Sequence, residues 1–192
     1  MKKIIVAVGM LVASGIALAQ SVTVQYQVQQ NTAGAQTQGH AVQLGVSTPV
    51  IKDLANDFSI NAFQADVNKK EFNRFEDGLT YRYQLNDTFT ASMRGGLGYM
   101  ESSNSGNWAY YVVEPKITAK LIYGFDTSVA YRRRAAFNNA YYDDSNTMRY
   151  ALGYHVTDKD YVRLMYDDLK GSNGNTYNNP SKNYTIAYTR NF

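Results

Sequence analysis

The chain contains no cysteine and only three prolines among its 192 residues. Without cysteine it can form neither a disulfide-stapled scaffold nor a cysteine-based metal site. Charged residues are also sparse, at 18% of the chain, which is atypical of disordered segments and of coiled coils. These absences leave one ordered domain as the simplest expectation.

The N-terminal segment has the pattern of a secretory signal peptide. Two lysines precede an apolar run from Ile4 to Val12, and the small-residue sequence Ala17-Leu18-Ala19 closes it. We therefore predict cleavage after Ala19, which separates a signal peptide, residues 1–19, from a mature domain, residues 20–192. Loss of the two lysines leaves 17 basic against 16 acidic residues, a net charge of +1, which argues against a generic nucleic-acid-binding protein.

Long hydrophobic runs are missing as well. A membrane-spanning helix needs ~18 consecutive apolar residues, and the longest run of the mature sequence, Trp108 to Val113, has six. An exported chain of this kind is either a soluble domain or a β-barrel of the outer membrane. The period of its apolar residues distinguishes the two.

Apolar and polar residues alternate with a period of two along most of the mature sequence, which is the pattern of β-strands. In the first such segment Val22, Val24, Tyr26 and Val28 share one face, and threonine and glutamine occupy the other. Nine further segments follow the same rule. The sequence therefore predicts ten strands, a strand content far above that of an ordinary globular domain.

The predicted connections alternate between short and long. Tight turns are expected at 86–87, 123–124 and 157–159, and a somewhat longer link at 49–57. The remaining connections are long and polar: 31–39, 66–74, 102–107, 138–145 and 171–182. Outer-membrane barrels have short periplasmic turns and long extracellular loops, and an even number of strands places both termini in the periplasm.

The predicted fold class is thus all-β, a transmembrane antiparallel up-and-down β-barrel of about ten strands in the bacterial outer membrane. Aromatic residues near the predicted strand ends favour it, since they would form interfacial girdles. They are Phe58, Phe89, Phe125 and Tyr188 near the short turns, and Tyr99 and Trp108 near the long loops. The alternative, a soluble lipocalin-like or sandwich domain, is disfavoured because the polar faces carry many long cations.

Two resemblances follow from these residues. The segment 183–192, which alternates and ends on Phe192, resembles the C-terminal strand of bacterial outer-membrane β-barrel proteins. That resemblance implies that the barrel-assembly machinery reads Phe192 as an assembly signal. Three strands interleave arginine with tyrosine, at Tyr81-Arg82-Tyr83, Tyr131-Arg132-Arg133-Arg134 and Arg149-Tyr150. They resemble the small monomeric porins for acidic oligosaccharides, of the oligogalacturonate-specific type, whose twelve-stranded barrels carry basic tracks.

If the apolar face meets lipid, eight cations point into the lumen: Arg82, Arg94, Lys116, Lys120, Arg132, Arg134, Arg149 and Arg163. The obvious acids on that face are Glu114 and Asp167. Such an interior would attract anionic solutes through a focused potential. The alternative is a packed polar plug, in which the arginines satisfy the acids and the tyrosine hydroxyls.

No catalytic centre is apparent, because His40 and His155 are predicted at opposite ends of the barrel. The pairs Asp143-Asp144 and Asp167-Asp168 could bind a divalent ion, but loop carboxylates are usually only solvated. We predict no enzymatic activity, no cofactor and no metal. Arg133 is predicted to point outward near the loops, either to pair with a lipopolysaccharide phosphate or simply to snorkel.

The sequence therefore predicts a monomeric outer-membrane porin-like channel with a basic lumen, for passive diffusion of small anionic solutes such as acidic sugars. The alternative is a non-conducting structural or surface-interaction barrel with a plugged polar lumen. The expected partners are outer-membrane lipid and lipopolysaccharide, the barrel-assembly machinery during insertion, and small anionic solutes, with no nucleic acid.

Overall fold

The computed structural model describes residues 20–31, 37–66, 71–102, 106–137, 144–171 and 181–192. The predicted signal peptide and the cleavage site after Ala19 lie outside these ranges, so both remain predictions.

Within the described ranges the chain forms ten β-strands: β1 (Ser21–Asn31), β2 (Thr37–Ile51), β3 (Leu54–Ala65), β4 (Glu71–Gln84), β5 (Phe89–Ser102), β6 (Trp108–Lys120), β7 (Phe125–Ala136), β8 (Ser145–His155), β9 (Asp160–Gly171) and β10 (Ser181–Asn191). Each strand pairs antiparallel with its neighbours in sequence, and β1 also pairs with β10, which closes the sheet. The predicted fold class, an up-and-down barrel of ten strands, is confirmed. No helix of the described residues is both long enough and apolar enough to cross a membrane.

Closure brings the first described residues, 20–21, next to the last, 191–192. Ser21 pairs with Asn191, and the amide of Phe192 donates to the carbonyl of Gln20 at 2.9 Å. The side chain of Phe192 is exposed at this end of the barrel. Its role as an assembly signal stays a prediction.

The short connections are built by local hydrogen bonds at the end that holds the termini. The Asn86 side chain accepts from the amides of Thr88 and Phe89, at 2.9 and 2.8 Å, and so folds the β4–β5 turn. Between β6 and β7, Gly124 adopts a positive φ of 79°. We call this end of the barrel the short-turn end and the other the long-loop end.

The link predicted at 49–57 is tighter than expected. β2 continues to Ile51 and β3 begins at Leu54, so that only Lys52 and Asp53 form the turn. Pro49 and the polar run at residues 56–57 interrupt the alternation, and for that reason the sequence pattern suggested a longer link. Asp53 takes the left-handed conformation, with φ of 65°, that a two-residue hairpin turn requires.

The distribution of side chains is the inverse of a soluble protein. Leu97 and Leu164 point outward and are 61% and 55% exposed, whereas Glu76 and Asp167 point inward and are 4% and 3% exposed. A surface of this kind suits lipid outside and a polar lumen inside. The soluble alternative is therefore not supported.

Two details of the strands differ from the sequence prediction. β4 begins at Glu71, inside the segment predicted as a loop. The sequence pattern missed this start because the outward Asp77 breaks the alternation. The Asn56 amide donates to the Asp77 carboxylate at 2.8 Å. Trp108, predicted as a residue of the outer girdle, pairs in register with the buried Met100 and points into the barrel. Its prediction as a girdle residue is therefore wrong.

The assignment of faces predicts a contrast between two neighbours near the middle of β2. Arginine in place of the outward Leu44 would meet lipid, at a cost of about 2–4 kcal/mol at the bilayer midplane. Arginine in place of the inward Gln43 would face the uncharged part of the lumen. We expect Leu44→Arg to lower the folded yield in lipid vesicles much more than Gln43→Arg, measured by heat-dependent gel migration. Equal yields would contradict the assignment.

Candidate functional site

The candidate site is the interior of the barrel. All eight cations predicted to line it occupy inward positions on β4–β9, which alternate with the lipid-facing residues. The acids Glu114 and Asp167 lie on the same inner face. Position alone does not test the predicted role of these residues in binding anions.

Glu76 is the centre of one ionic cluster inside the barrel. Arg94 Nη1 lies 3.1 Å from Glu76 Oε2, and Arg134 Nε donates to Glu76 Oε1 at 2.6 Å. The hydroxyl of Tyr110 donates to the same Oε1 at 3.0 Å. A carboxylate this deeply buried is stable only with such partners.

A second cluster runs across β6–β9. Arg132 Nε is hydrogen-bonded to Glu114, and Arg149 binds Asp167 through Nε and Nη2 at 2.7 and 2.6 Å, a bidentate arrangement. Arg149 Nη1 also lies 3.9 Å from Glu114 Oε2, which connects the two pairs. Two arginines and two acids thus neutralise each other in the middle of the lumen.

A looser cluster lies towards the short-turn end, around Asp126. This carboxylate accepts from the hydroxyl of Tyr161 at 2.8 Å, while Arg163 Nη2 and His155 Nε2 lie 3.9 and 3.8 Å from it. The Arg163 guanidinium donates to the Tyr161 hydroxyl from two nitrogens, at 2.9 and 2.7 Å.

Three of the predicted cations form no ion pair with any described acid: Arg82, Lys116 and Lys120. We call them the short-turn cations, because they lie in the halves of β4 and β6 that lead to the short turns. Arg82 and Lys120 are exposed to the lumen mouth. Lys116 lies deeper in the lumen and is only partly exposed. Three lumenal cations without an ion-pair partner among the described acids therefore lie at this end.

The inner face carries more charged residues than the sequence pattern indicated. The structure adds three inward acids that the sequence analysis missed, Asp57, Glu76 and Asp126, and one inward cation, Arg74. Among the described residues the inner face holds nine cations against five acids, a net charge of +4 rather than the +6 expected from eight and two. Glu76 and Arg74 lie an even number of residues before the inward Thr80 in β4, so continuing the period of two towards Glu71 would have placed both inside the barrel.

Tyr110 narrows the lumen in the half towards the long loops. It is fully buried, and its ring lies directly against Gly98, where an added Cβ atom would overlap the Tyr110 Cζ atom. Arg74 Cζ lies 5.9 Å from the centre of the same ring. Glycine at position 98 thus makes room for the aromatic ring that carries the hydroxyl bound to Glu76.

This contact predicts a difference between two glycines of β5. A methyl group at Gly98 would displace the Tyr110 ring, and overpacking of this kind costs about 1–3 kcal/mol. A methyl group at Gly95 would point outward and meet no atom within 4 Å. We expect Gly98→Ala to lower the free energy of unfolding in urea and Gly95→Ala to leave it nearly unchanged. Equal losses would contradict the close contact with Tyr110.

The rest of the lumen contains a narrow open space. A cavity of about 160 Å³, large enough for several water molecules, lies between β1–β3 and the side chains of Arg94, Arg132 and Glu76. Across the lumen from the arginines, the described inner faces of β1, β2 and β10 carry no charged residue. Their polar side chains are threonine, serine, glutamine and asparagine. The lumen therefore has a charged wall and an uncharged hydrogen-bonding wall.

The remaining polar candidates do not converge. His40 lies on the outer surface at the long-loop end, 3.3 Å from Asp66, whereas His155 lies inside at the short-turn end. Asp167 points inward and Asp168 outward, so the two do not form an acid pair, and Asp143 lies outside the described residues. Within the described ranges no three histidine or acidic side chains are placed to hold a metal ion.

No protein-family model matches the chain, and no curated protein matches its sequence. Solved structures do match. The NanC porin structure shares 14% sequence identity at a TM-score of 0.58, over 89% of this chain and 100% of that one. The KdgM porin shares 14% at 0.51, over 88% and 99%, and the COG4313 outer membrane channel from Pseudomonas putida F1 shares 8% at 0.55, over 91% and 96%.

The likeness is one of fold. At these identities the shared feature is the closed antiparallel barrel, and at that level the resemblance to small porins that the arginine–tyrosine strands suggested is confirmed. The ten strands of this chain build that fold around the ionic clusters described above.

Proposed function

We propose that the chain is an outer-membrane channel whose narrow, positively charged lumen lets small anionic solutes diffuse passively. The observation that carries the proposal is the net charge of +4 on the described inner face, with three short-turn cations that form no ion pair with a described acid. The apolar outer surface and the fold shared with porins and an outer membrane channel support the placement. In this proposal the chain acts as a monomer that the barrel-assembly machinery inserts.

The asymmetry of the lumen suggests how a solute would pass. Low-dielectric walls focus the field of the short-turn cations and raise the local concentration of anions. Inside, an anion would move along the cavity between the uncharged wall and Arg94 and Arg132. The small cavity restricts the channel to small solutes.

Acidic sugars are a solute class that fits both walls. Their carboxylate would face the arginines, and their hydroxyl groups would exchange hydrogen bonds with glutamine and threonine side chains such as Gln25, Gln43 and Thr23. One of the similar structures is described as a KdgM porin in complex with disordered oligogalacturonate.

The second candidate function is a non-conducting barrel, and a specific observation favours it. Tyr110, Glu76, Arg94 and Arg134 form a hydrogen-bonded layer across the long-loop half of the lumen. If that layer closes the path to water, the long loops and the outer surface carry the function instead.

Conductance decides between the two candidates. The mature protein, refolded and added to planar bilayers, should give discrete single-channel steps with a reversal potential under a KCl gradient that indicates anion preference. Absence of steps in preparations that are folded by heat-dependent gel migration would overturn the channel and support the non-conducting barrel. Steps with cation preference would overturn the basic lumen.

A further inference from the structure

The outer surface of the barrel carries a group of hydrogen-bond donors at the long-loop end. Arg133 on β7 pairs in register with Asn146 on β8, and Asn146 pairs with Lys170 on β9. All three point away from the lumen, because they share the parity of the lipid-facing Tyr131 and Tyr150. Three donors on consecutive strands thus lie side by side on one outward patch.

Hydrogen bonds position this patch. The hydroxyl of Tyr131 donates to Asn146 Oδ1 at 2.7 Å, and Arg133 Nη1 donates to the same oxygen at 3.3 Å. Because both bonds use the amide oxygen, the amide nitrogen of Asn146 remains a donor on the outer face. The nearest acid, Asp144, is 4.0 Å from Arg133 Nη2 and also accepts from the amide of Ala136 at 3.0 Å.

The depth of the patch matches the headgroup layer of a membrane. Tyr131 lies two residues from Arg133 towards the lipid-facing middle of β7. Tyr111 and Phe137 lie on the long-loop side of Arg133 and pack against each other, with ring centres 5.9 Å apart. Aromatic residues in this arrangement mark the boundary between the acyl chains and the headgroups. Arg133 lies between these rings, and Lys170 is joined to it in register through Asn146, so both lie at that boundary. The Arg133 side chain is 42% exposed.

The charge of the outer rim differs around the barrel. Outward positions at the long-loop ends of β3–β5 hold the acids Asp66, Glu71 and Glu101 in the described residues, whereas β7–β10 hold Arg133, Lys170 and Lys182. Asp168 lies on the same face as Lys170 and opposite Lys182. The cations are therefore gathered on one arc, at the level where lipid phosphates lie.

We propose that Arg133, Asn146 and Lys170 form a binding site for the phosphate group of a lipid headgroup in the outer leaflet. The planar guanidinium donates to two phosphate oxygens, the Asn146 amide donates to one of them, and the Lys170 ammonium supplies a second charge. The site lies outside the barrel, so it does not depend on whether the lumen conducts.

The test measures binding of a defined lipid to the refolded full-length mature protein. Native mass spectrometry of protein released from detergent micelles would follow titration with diphosphorylated lipid A. The double variant Arg133→Gln/Lys170→Gln removes two charge-assisted contacts and should bind at least about tenfold more weakly. The matched control, Lys52→Gln/Lys159→Gln, removes two cations from turns at the short-turn end and should bind as the native protein does.

Three results would overturn the proposal. The first is equal affinity of the native protein and Arg133→Gln/Lys170→Gln, with both shown to be folded by gel migration. The second is equal binding of lipid A from which the phosphates have been removed. The third is full competition by millimolar inorganic phosphate, which would indicate a site for free phosphate rather than for a lipid.

Discussion

Glutamine in place of Glu76 should destabilise the folded barrel by about 3–5 kcal/mol, the cost of removing one partner from a buried ionic cluster. The carboxylate compensates Arg94 and Arg134, whose side chains are only 12% and 9% exposed, and it holds the Tyr110 hydroxyl. Arg94 makes no ion pair with any other described acid. Urea unfolding in lipid vesicles measures the loss, and the single tryptophan, Trp108, reports it from inside the barrel.

Asp57→Asn is the matched control, because Asp57 is also an inward acid and lies on the adjacent strand β3. It accepts a hydrogen bond from the hydroxyl of Thr80 and forms no ion pair with a described cation. We expect it to lose about 1 kcal/mol, the value of an ordinary hydrogen bond. Glu76→Gln combined with Arg94→Gln should recover part of the loss. A Glu76→Gln effect no larger than that of Asp57→Asn would show that the cluster does not stabilise the fold.

The faces of the strands could be predicted from the sequence because a membrane barrel separates its two environments with a strict period of two. Residues 22–29 and 184–189 have a large apolar side chain at every second position, and the structure shows them in strands with the expected parity. The eight predicted cations are inward for the same reason. The alternation fails where a polar residue faces outward, as Asp77 does in β4, and there Glu76 and Arg74 were missed.

The partners of the cations could not be predicted, since they depend on strand register and on the direction in which each long side chain bends. Arg94 pairs in register with Glu114 across β5 and β6, yet its guanidinium bonds Glu76 on the opposite neighbour, β4. Glu114 is bonded instead by Arg132 from β7. A sequence pattern places these groups on one face but contains no information on which neighbour each one reaches.

Because of these ion pairs, only some of the lumenal cations can be substituted to test the channel without disturbing the fold. Removing Arg132 would take from Glu114 its hydrogen-bonded arginine, and removing Arg134 would take from Glu76 one of its two arginine partners. Either change would disturb the fold together with the lumen. The short-turn cations, Arg82, Lys116 and Lys120, are different, because no described acid loses an ion-pair partner when they are neutralised. For the exposed Arg82 and Lys120, substitutions of this kind usually change stability by no more than about 0.5 kcal/mol.

The triple variant Arg82→Gln/Lys116→Gln/Lys120→Gln should therefore lose most of the anion preference of the proposed channel while remaining folded. It lowers the net charge of the described inner face from +4 to +1, so the potential that concentrates anions at the mouth falls accordingly. The reversal potential under a KCl gradient should move towards zero. The difference from the native channel should be largest in dilute salt, because the screening length falls from about 10 Å at 0.1 M to about 3 Å at 1 M.

A matched variant separates the charge of the lumen from the charge of the membrane face. Lys52→Gln/Lys159→Gln/Arg190→Gln also removes three cations at the short-turn end, but these lie in turns or on the outer surface, where Arg190 Nη1 pairs with Asp160 at 2.8 Å. We expect it to keep the native reversal potential. If both triple variants shift the potential equally, the selectivity arises from the surface charge around the mouth. If neither shifts it, the short-turn cations do not select the ions that pass.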